Sequence, residues 1–368
     1  MTSKKNIRIG YLIPNESVVA VNFISKRIKI LEYVYNKVVI IRVKNNGINT
    51  KHTGAQNLLV RIISYLNFEF KTTYTFIKNS KNIDVLFFSI TSGSLVLPQL
   101  VSKLLFKKNI YYTGGSTYEC TKYGMGGNLF PLVARVLEDI NYKLSDGIIT
   151  EGESQIDQLR LHKYKNKVFP YGATYVDVDK LKIINPLNQR KNIVGFIGRL
   201  SKEKGIENFI EAAIILSEQN PNIEFIIGGT GPLENLVTRK IYELGLQNRI
   251  RYIGWIPHDN LAIYLNELKL IVIPSYTEGL PNIILEAMAC GTPVLTSSVG
   301  AIPDIIKDRK TGFILKNNQP ATIAEEIIKC INYNNIEDIA INARGVIDKN
   351  YTIEAACKRF MLILNYNI

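Results

Sequence analysis

The sequence predicts an α/β chain made of two doubly wound parallel-sheet domains. Three observations carry this. At 368 residues the chain exceeds what one ordinary hydrophobic core holds together. Strand-like runs alternate with helical ones in both halves, the pattern of parallel sheets covered by helices on both faces. A polar stretch without periodicity, Ile-Ile-Asn-Pro-Leu-Asn-Gln-Arg-Lys-Asn at 183–192, separates the two sets and reads as a linker. The expected plan is a first domain over 1–182, a second over 193–350, and a C-terminal segment, 351–368, whose helix spans 352–365.

Strands are expected at 7–13, 37–43, 85–90, 109–113 and 147–150 in the first half. In the second half they are expected at 193–198, 223–228, 251–255, 270–274, 293–297 and 312–315. Helices are expected near 128–144, 206–217, 233–244, 260–268, 281–289 and 321–331. Doubly wound sheets place a ligand outside the carboxyl ends of their strands. The uncharged stretch 85–102 contains Ser89, Thr91, Ser92, Gly93, Ser94, Pro98 and Gln99, so it reads as a strand, a turn and a helix rather than a membrane span. The segment 95–108 is apolar with lysines at its end. It fits either a core helix with a solvated terminus or an element lying on a membrane surface.

Composition narrows the function classes. Hydrophobic residues at 46% and charged residues at 21% are globular values. Cys120, Cys290, Cys330 and Cys357 form no C-x-x-C pair, and His52, His162 and His258 are scattered. This speaks against a disulfide framework or a zinc site and for a reducing, cytoplasmic compartment. No secretory signal is expected, since Lys4 and Lys5 precede only a strand-like run. The net charge of +13 is lopsided: residues 1–180 hold 25 Lys/Arg against 13 Asp/Glu, a net of +12, whereas 181–368 hold 20 against 19. The first half is therefore expected to meet something anionic, such as a membrane surface, a lipid-phosphate acceptor or nucleic acid.

The most informative feature is a pair of glutamates, Glu278 and Glu286, in the run Tyr-Thr-Glu-Gly-Leu-Pro-Asn-Ile-Ile-Leu-Glu-Ala-Met-Ala-Cys-Gly-Thr-Pro. Pro281 is placed to start a helix, and Gly291 with Pro293 to end it. Two carboxylates roughly 10 Å apart, with a helix N-terminus between them, suit a ligand with a hydroxylated ring at each end and a phosphate in the middle. Arg199 and Lys204 follow a strand end and offer cations to phosphate oxygens. Gly228-Gly229-Thr230-Gly231-Pro232 lets backbone approach closely, but is no P-loop, because no Gly-Lys-Ser/Thr follows. Asp177-Val178-Asp179 lacks a third carboxylate nearby and reads as solvated loop carboxylates rather than a metal site.

Four pieces in this order resemble the retaining glycosyltransferases of family 4, with their GT-B architecture of two Rossmann-like domains facing a central cleft. They are Gly198-Arg199-Leu200 with Lys204-Gly205, then Gly228 to Pro232, then Gly254 with Pro257, then the Glu278–Glu286 element with its continuation to Pro293. The resemblance covers roughly 192–316. It implies transfer of a sugar, with retention of configuration, from a UDP- or GDP-sugar to a hydroxyl of a glycan or lipid-linked acceptor, without a metal. Glu278 would hold donor-sugar hydroxyls and Glu286 the ribose. Arg199 and Lys204 would neutralise the diphosphate, with Gly198, Gly229, Gly231, Gly279, Leu280, Pro281 and Asn282 lining the donor site. The last helix would cross back to the first domain.

The first half departs from the family pattern. The loop after the first strand, from Asn15, has no glycine, and no histidine follows the strand at 109–113, where Thr113-Gly114-Gly115-Ser116 stands instead. Asn15, Gly114, Gly115 and Ser116 are the acceptor-side candidates. The expectation is a cytoplasmic enzyme that can meet the inner face of a membrane through its basic first half, with no nucleic acid as partner. A nucleotide-sugar binding protein without catalysis and a sugar-nucleotide epimerase of the same architecture stay open.

Overall fold

In a computed structural model the described residues are 5–13, 18–43, 58–88, 95–125, 129–170 and 172–365. The chain divides into two compact units: residues 1–174 with 356–368, and residues 175–355.

The first unit holds six strands, β1 (Lys5–Ile13), β2 (Tyr35–Arg42), β3 (Val85–Phe88), β4 (Lys108–Tyr112), β5 (Gly147–Ile149) and β6 (Val168–Phe169). They form one sheet in the order β2-β1-β3-β4-β5-β6, parallel throughout. Its helices are α1 (Val18–Val34), α2 (Leu58–Asn79), α3 (Leu97–Leu104), α4 (Thr117–Met125), α5 (Leu129–Leu144) and α6 (Ser154–Gln158). Leu12, Phe76, Leu86, Phe88, Tyr111 and Ile148 are among the buried residues on one face of this sheet. The expected helix over 95–108 is shorter: α3 stops at Leu104, because the chain reverses at Leu105–Phe106 and Lys108 opens β4. Both β6 and α2 escape a reading by pattern, β6 for its two residues and α2 because its outward face is apolar.

The second unit repeats the plan with β7 (Ile193–Ile197), β8 (Glu224–Gly228), β9 (Ile250–Gly254), β10 (Leu270–Ile273), β11 (Val294–Thr296) and β12 (Phe313–Ile314). The order is β12-β11-β10-β7-β8-β9, again parallel. This is the dinucleotide-fold order, and its switch point lies between β7 and β10, where the strand order reverses. The helices are α7 (Ile206–Gln219), α8 (Glu234–Glu243), α9 (Leu261–Glu267), α10 (Asn282–Ala289), α11 (Ile302–Ile305), α12 (Pro320–Ile331) and α13 (Ile336–Asn350), while α14 (Ile353–Asn365) belongs to the first unit from Ala356 on. Two buried clusters cover the two faces of this sheet, one including Phe196, Phe209 and Phe225, the other Ile271, Leu285 and Met288. Such near-continuous apolar strands are what a sheet covered on both faces requires.

The division comes after Thr174, ahead of the polar segment 183–192. That segment is fastened to the second unit. Asn266 accepts from the backbone N–H of Ile184 (2.7 Å) and Asn185 (3.3 Å). Arg190 is buried. It donates to the carbonyls of Asn185, Leu265, Leu268 and Cys290 and to Thr292 Oγ1. Apart from the buried Leu187 and Arg190 the segment is exposed, so it faces water while Arg190 and the backbone of Ile184 and Asn185 tie it down. The end of α14 belongs to the first unit, where Phe360 packs on Phe87 at 5.6 Å between ring centroids, and Arg359 donates to the carbonyls of Gly172 and Thr174.

Candidate functional site

The expected phosphate cations and the first glutamate meet at the switch point of the second unit. β7 ends at Ile197 and leads through Gly198 and Arg199 to Lys204. The chain leaving β10 at Ile273 leads through Pro274 to Glu278. The two loops are pressed together. Tyr276 N–H donates to the Glu203 carbonyl (2.9 Å), and a Cβ on Gly205 would lie 2.1 Å from the Pro274 carbonyl oxygen. Gly205 also holds φ +71, so glycine is required there on both counts.

This contact sets the charge arrangement. Lys204 Nζ lies 2.6 Å from both carboxylate oxygens of Glu278. Ser275 Oγ, fully buried, donates to Glu278 Oε1 at 2.7 Å. The Glu278 side chain is 7% exposed and that of Lys204 29%. Arg199 is set differently: its guanidinium is mostly exposed and stands 3.9 Å from Glu203, whose carboxylate also accepts from Ser201 Oγ (2.6 Å).

Glu286 lies inside α10 and is buried. His258 Nε2, from the turn after β9, is 3.0 Å from its Oε1. The two glutamates thus have separate partners, a lysine with a serine for one and a histidine for the other. Helix α10 begins one residue later than expected: Pro281, with extended ψ of 121°, is its N-cap, and Asn282 is the first helical residue. Its far end closes as a Schellman motif. Gly291 (φ +66) donates to the Met288 carbonyl and Thr292 to that of Ala287. Arg190 and Arg344 take the Cys290 and Ala289 carbonyls. The negative end of the helix dipole is thus met by two cations.

The glycine-rich loop works through backbone contact. A Cβ on Gly229 (φ +119) would lie 1.9 Å from the Gly198 carbonyl oxygen, and one on Gly231 2.4 Å from that of Leu200. Hydrogen bonds from Gly198 N to Gly228 O (3.0 Å) and from Leu200 N to Thr230 O (3.0 Å) stitch the two loops side by side. Gly198 itself has room for a Cβ, whose nearest neighbour would be the Phe196 ring at 3.8 Å. Gly279 accepts from Ala301 N–H (2.7 Å), and a Cβ on Gly300 would lie 2.3 Å from its carbonyl oxygen. Leu280 is half-buried against the cluster around Leu285.

Ser275, His258 and Asn318 carry no signal in a linear reading. Asn318 Nδ2 donates to the Pro274 carbonyl (3.0 Å), and its Oδ1 accepts from Ser297 Oγ (2.8 Å), so it pins the loop that carries Glu278. Asp177 Oδ1 accepts from Lys180 N–H (3.3 Å), closing a turn.

In the first unit, Gly114, Gly115 and Ser116 follow β4. Ser116 Oγ accepts from Glu119 N–H (3.2 Å), the bond of a helix N-cap, so this hydroxyl is engaged by α4. The buried Glu138 of α5 accepts from Thr117 N–H. Burial holds its carboxyl above the ordinary range. Asn15 lies outside the described residues.

The family model for glycosyl transferases group 1 matches residues 177–345. The chain is 31% identical over 169 residues to an uncharacterised glycosyltransferase of Methanocaldococcus jannaschii, covering 46% of this chain and 43% of that one. It is 29% identical over 165 residues to alpha-D-kanosaminyltransferase of Streptomyces kanamyceticus, covering 45% and 43%. It is likewise 29% identical over 165 residues to the capsular polysaccharide biosynthesis glycosyltransferase CapM of Staphylococcus aureus, covering 44% and 42%. The matched stretch spans less than half the length of these relatives. Sucrose-phosphate synthase of Thermosynechococcus elongatus superposes with a TM-score of 0.75 at 17% identity, over 98% of both chains. Anabaena HepE, solved with UDP and glucose, superposes with 0.71 at 17%, over 98% of this chain and 100% of that one. At such identities the likeness is one of fold.

Proposed function

We propose that the chain is a member of the glycosyl transferases group 1 family, whose model matches residues 177–345 of this two-domain GT-B fold, and that it transfers a sugar from a nucleoside-diphosphate sugar to an acceptor hydroxyl with retention of configuration. The observation that carries this reading is the Lys204–Glu278 pair at the switch point, beside the N-terminus of α10.

The donor would lie across the second unit. Its sugar hydroxyls take Glu278 and its ribose takes Glu286. The two loops that pack together through Gly198, Gly229 and Gly231 would present backbone to the nucleotide. As the bond from the sugar carbon to the phosphate oxygen breaks, the nucleoside diphosphate departs with the electron pair, and negative charge grows on that oxygen. Lys204, Arg199 and the backbone N–H groups around Gly279–Asn282 stabilise this charge without a metal. The acceptor oxygen bonds to the same face of the sugar, and its proton passes to the departing phosphate. Pro281 has no N–H to give, so its part is to fix the entry to the helix.

The acceptor is a glycan or lipid-linked hydroxyl, in keeping with the polysaccharide-building relatives, and the first unit supplies its site around Gly114, Gly115 and Ser116. The test is a panel of UDP- and GDP-sugars scored by thermal shift and then by release of nucleoside diphosphate. A ligand at 100 times its Kd should add about 2.7 kcal/mol of apparent stability. Failure of every nucleotide sugar to stabilise the protein sinks the reading. Stabilisation without transfer to any acceptor supports a binding protein instead.

A further inference from the structure

The first unit exposes apolar side chains in a pattern its own fold does not use. On α2, Ile63, Leu66, Phe70, Tyr74 and Ile77 recur at intervals of three and four, one stripe along the helix, and all are exposed. The opposite face, with Glu69, Thr72 and Phe76, is the buried one. Lys71 and Lys78 flank the stripe, exposed on one side of it. Helix α3 packs on α2, and Glu69 accepts from Val96 N–H (2.8 Å) and Leu97 N–H (3.1 Å) at its start.

The end of α3 carries an independent sign. Phe106 donates to the Lys103 carbonyl and Lys107 to that of Ser102, a Schellman closure in which Phe106 occupies the position that favours glycine. Its φ is +53, a strained conformation for an L residue, and it is 96% exposed. Leu104 before it is 76% exposed. A large ring held in strain and touching almost nothing gives the fold no return. Lys103, Lys107 and Lys108 stand within three residues of it in the chain, with Asp146 as the acidic partner of Lys103 (2.9 Å).

We propose that the outward face of α2 and the end of α3 form a docking surface for an anionic lipid bilayer, with Phe106 as an inserted anchor. Apolar and aromatic side chains rimmed by lysines are what an interfacial element needs. Among the described residues no helix is long and apolar enough to cross a membrane, so the contact is with the surface. A second copy of the chain would set the same lysines and the same net positive charge, +12 over residues 1–180, against each other. An anionic surface neutralises them.

The test uses the full chain with vesicles of phosphatidylcholine alone or with one quarter phosphatidylglycerol, read by flotation at physiological salt. Binding should require the anionic lipid. Phe106→Gly should weaken it about tenfold, the loss of one inserted aromatic side chain. The same substitution should raise Tm by about 2–4 °C by releasing the backbone strain. Phe70→Ser with Tyr74→Ser should also weaken binding. Equal binding to both vesicle types, no binding to either, or unchanged binding by Phe106→Gly overturns the proposal. So does a dimer in light scattering that Phe70→Ser with Tyr74→Ser turns into monomer, since the stripe would then be an interface between copies.

Discussion

Lys204 holds both oxygens of Glu278 at 2.6 Å, so the cation proposed for the diphosphate and the carboxylate proposed for the sugar are paired with each other. A phosphate entering the site competes with Glu278 for the same ammonium. The two residues should therefore separate on mutation. Lys204→Ala removes the phosphate partner and leaves Glu278 largely buried without its cation, so nucleotide binding and turnover both fall. Glu278→Gln frees Lys204, so nucleoside-diphosphate affinity is kept or rises while turnover falls about 10²–10³-fold, the scale of one lost electrostatic contact to the reacting group. Isothermal titration with UDP and GDP beside initial rates checks both. Equal loss of nucleotide affinity in the two variants would show that they do not compete for one charge.

The glycines of the donor loop should differ sharply in tolerance. Gly229→Ala places a methyl 1.9 Å from the Gly198 carbonyl oxygen at φ +119, and Gly231→Ala places one 2.4 Å from that of Leu200. Backbone cannot yield there without breaking the bonds between the loops, so each should cost more than about 2 kcal/mol. Gly198→Ala meets only the Phe196 ring at 3.8 Å and should stay within about 0.5 kcal/mol of the parent. Denaturant midpoints of the three variants measure this directly, and equal destabilisation by Gly198→Ala would contradict the packing described.

The parallel sheets and the Glu278–Glu286 element are legible in the sequence because both depend on local spacing: strand and helix periods in one case, a helix turn count in the other. His258 and Asn318 are not, because they reach Glu286 and the Glu278 loop from other turns that only the sheet brings together, and Ser275, three residues before Glu278, is not because nothing in its spacing marks it as a partner. The polar stretch 183–192 misleads for a different reason. Most of its residues do face water, and composition cannot show that Arg190 and the backbone of Ile184 and Asn185 are bonded to the second unit. The outward stripe of α2 has a helix period but the opposite sense, so an inside-apolar reading finds no element there.

Arg190 should be the most costly polar residue to lose in the second unit. Its guanidinium is buried and pulled down to about 10 by that burial, still cationic at neutral pH. Its hydrogen bonds run to four carbonyls and to the side chains of Thr292 and Asn266, none of them charged. Arg190→Met fills the space but leaves the ends of α9 and α10 short of donors, at about 1–3 kcal/mol for each stranded group. We expect a loss of at least about 3 kcal/mol in urea unfolding. Arg190→Lys should recover only part, since one ammonium cannot serve the fork of acceptors.

Glu138 gives a pH dependence with a definite sign. Burial raises its carboxyl, and the N–H of Thr117 opposes this only in part. The folded protein therefore binds that proton more tightly than the unfolded chain. Below the ordinary carboxylate range, about 4.3, both states are protonated and the contribution to stability is complete. As pH rises through that range the unfolded chain releases its proton first, so this contribution falls until the folded carboxyl also ionises, and is then constant. Glu138→Gln keeps an acceptor for Thr117 and cannot ionise. Its Tm should match the parent's at low pH and exceed it increasingly toward neutrality before the difference levels off. A difference that is constant with pH would mean that the Glu138 carboxyl titrates alike in the folded and unfolded chain.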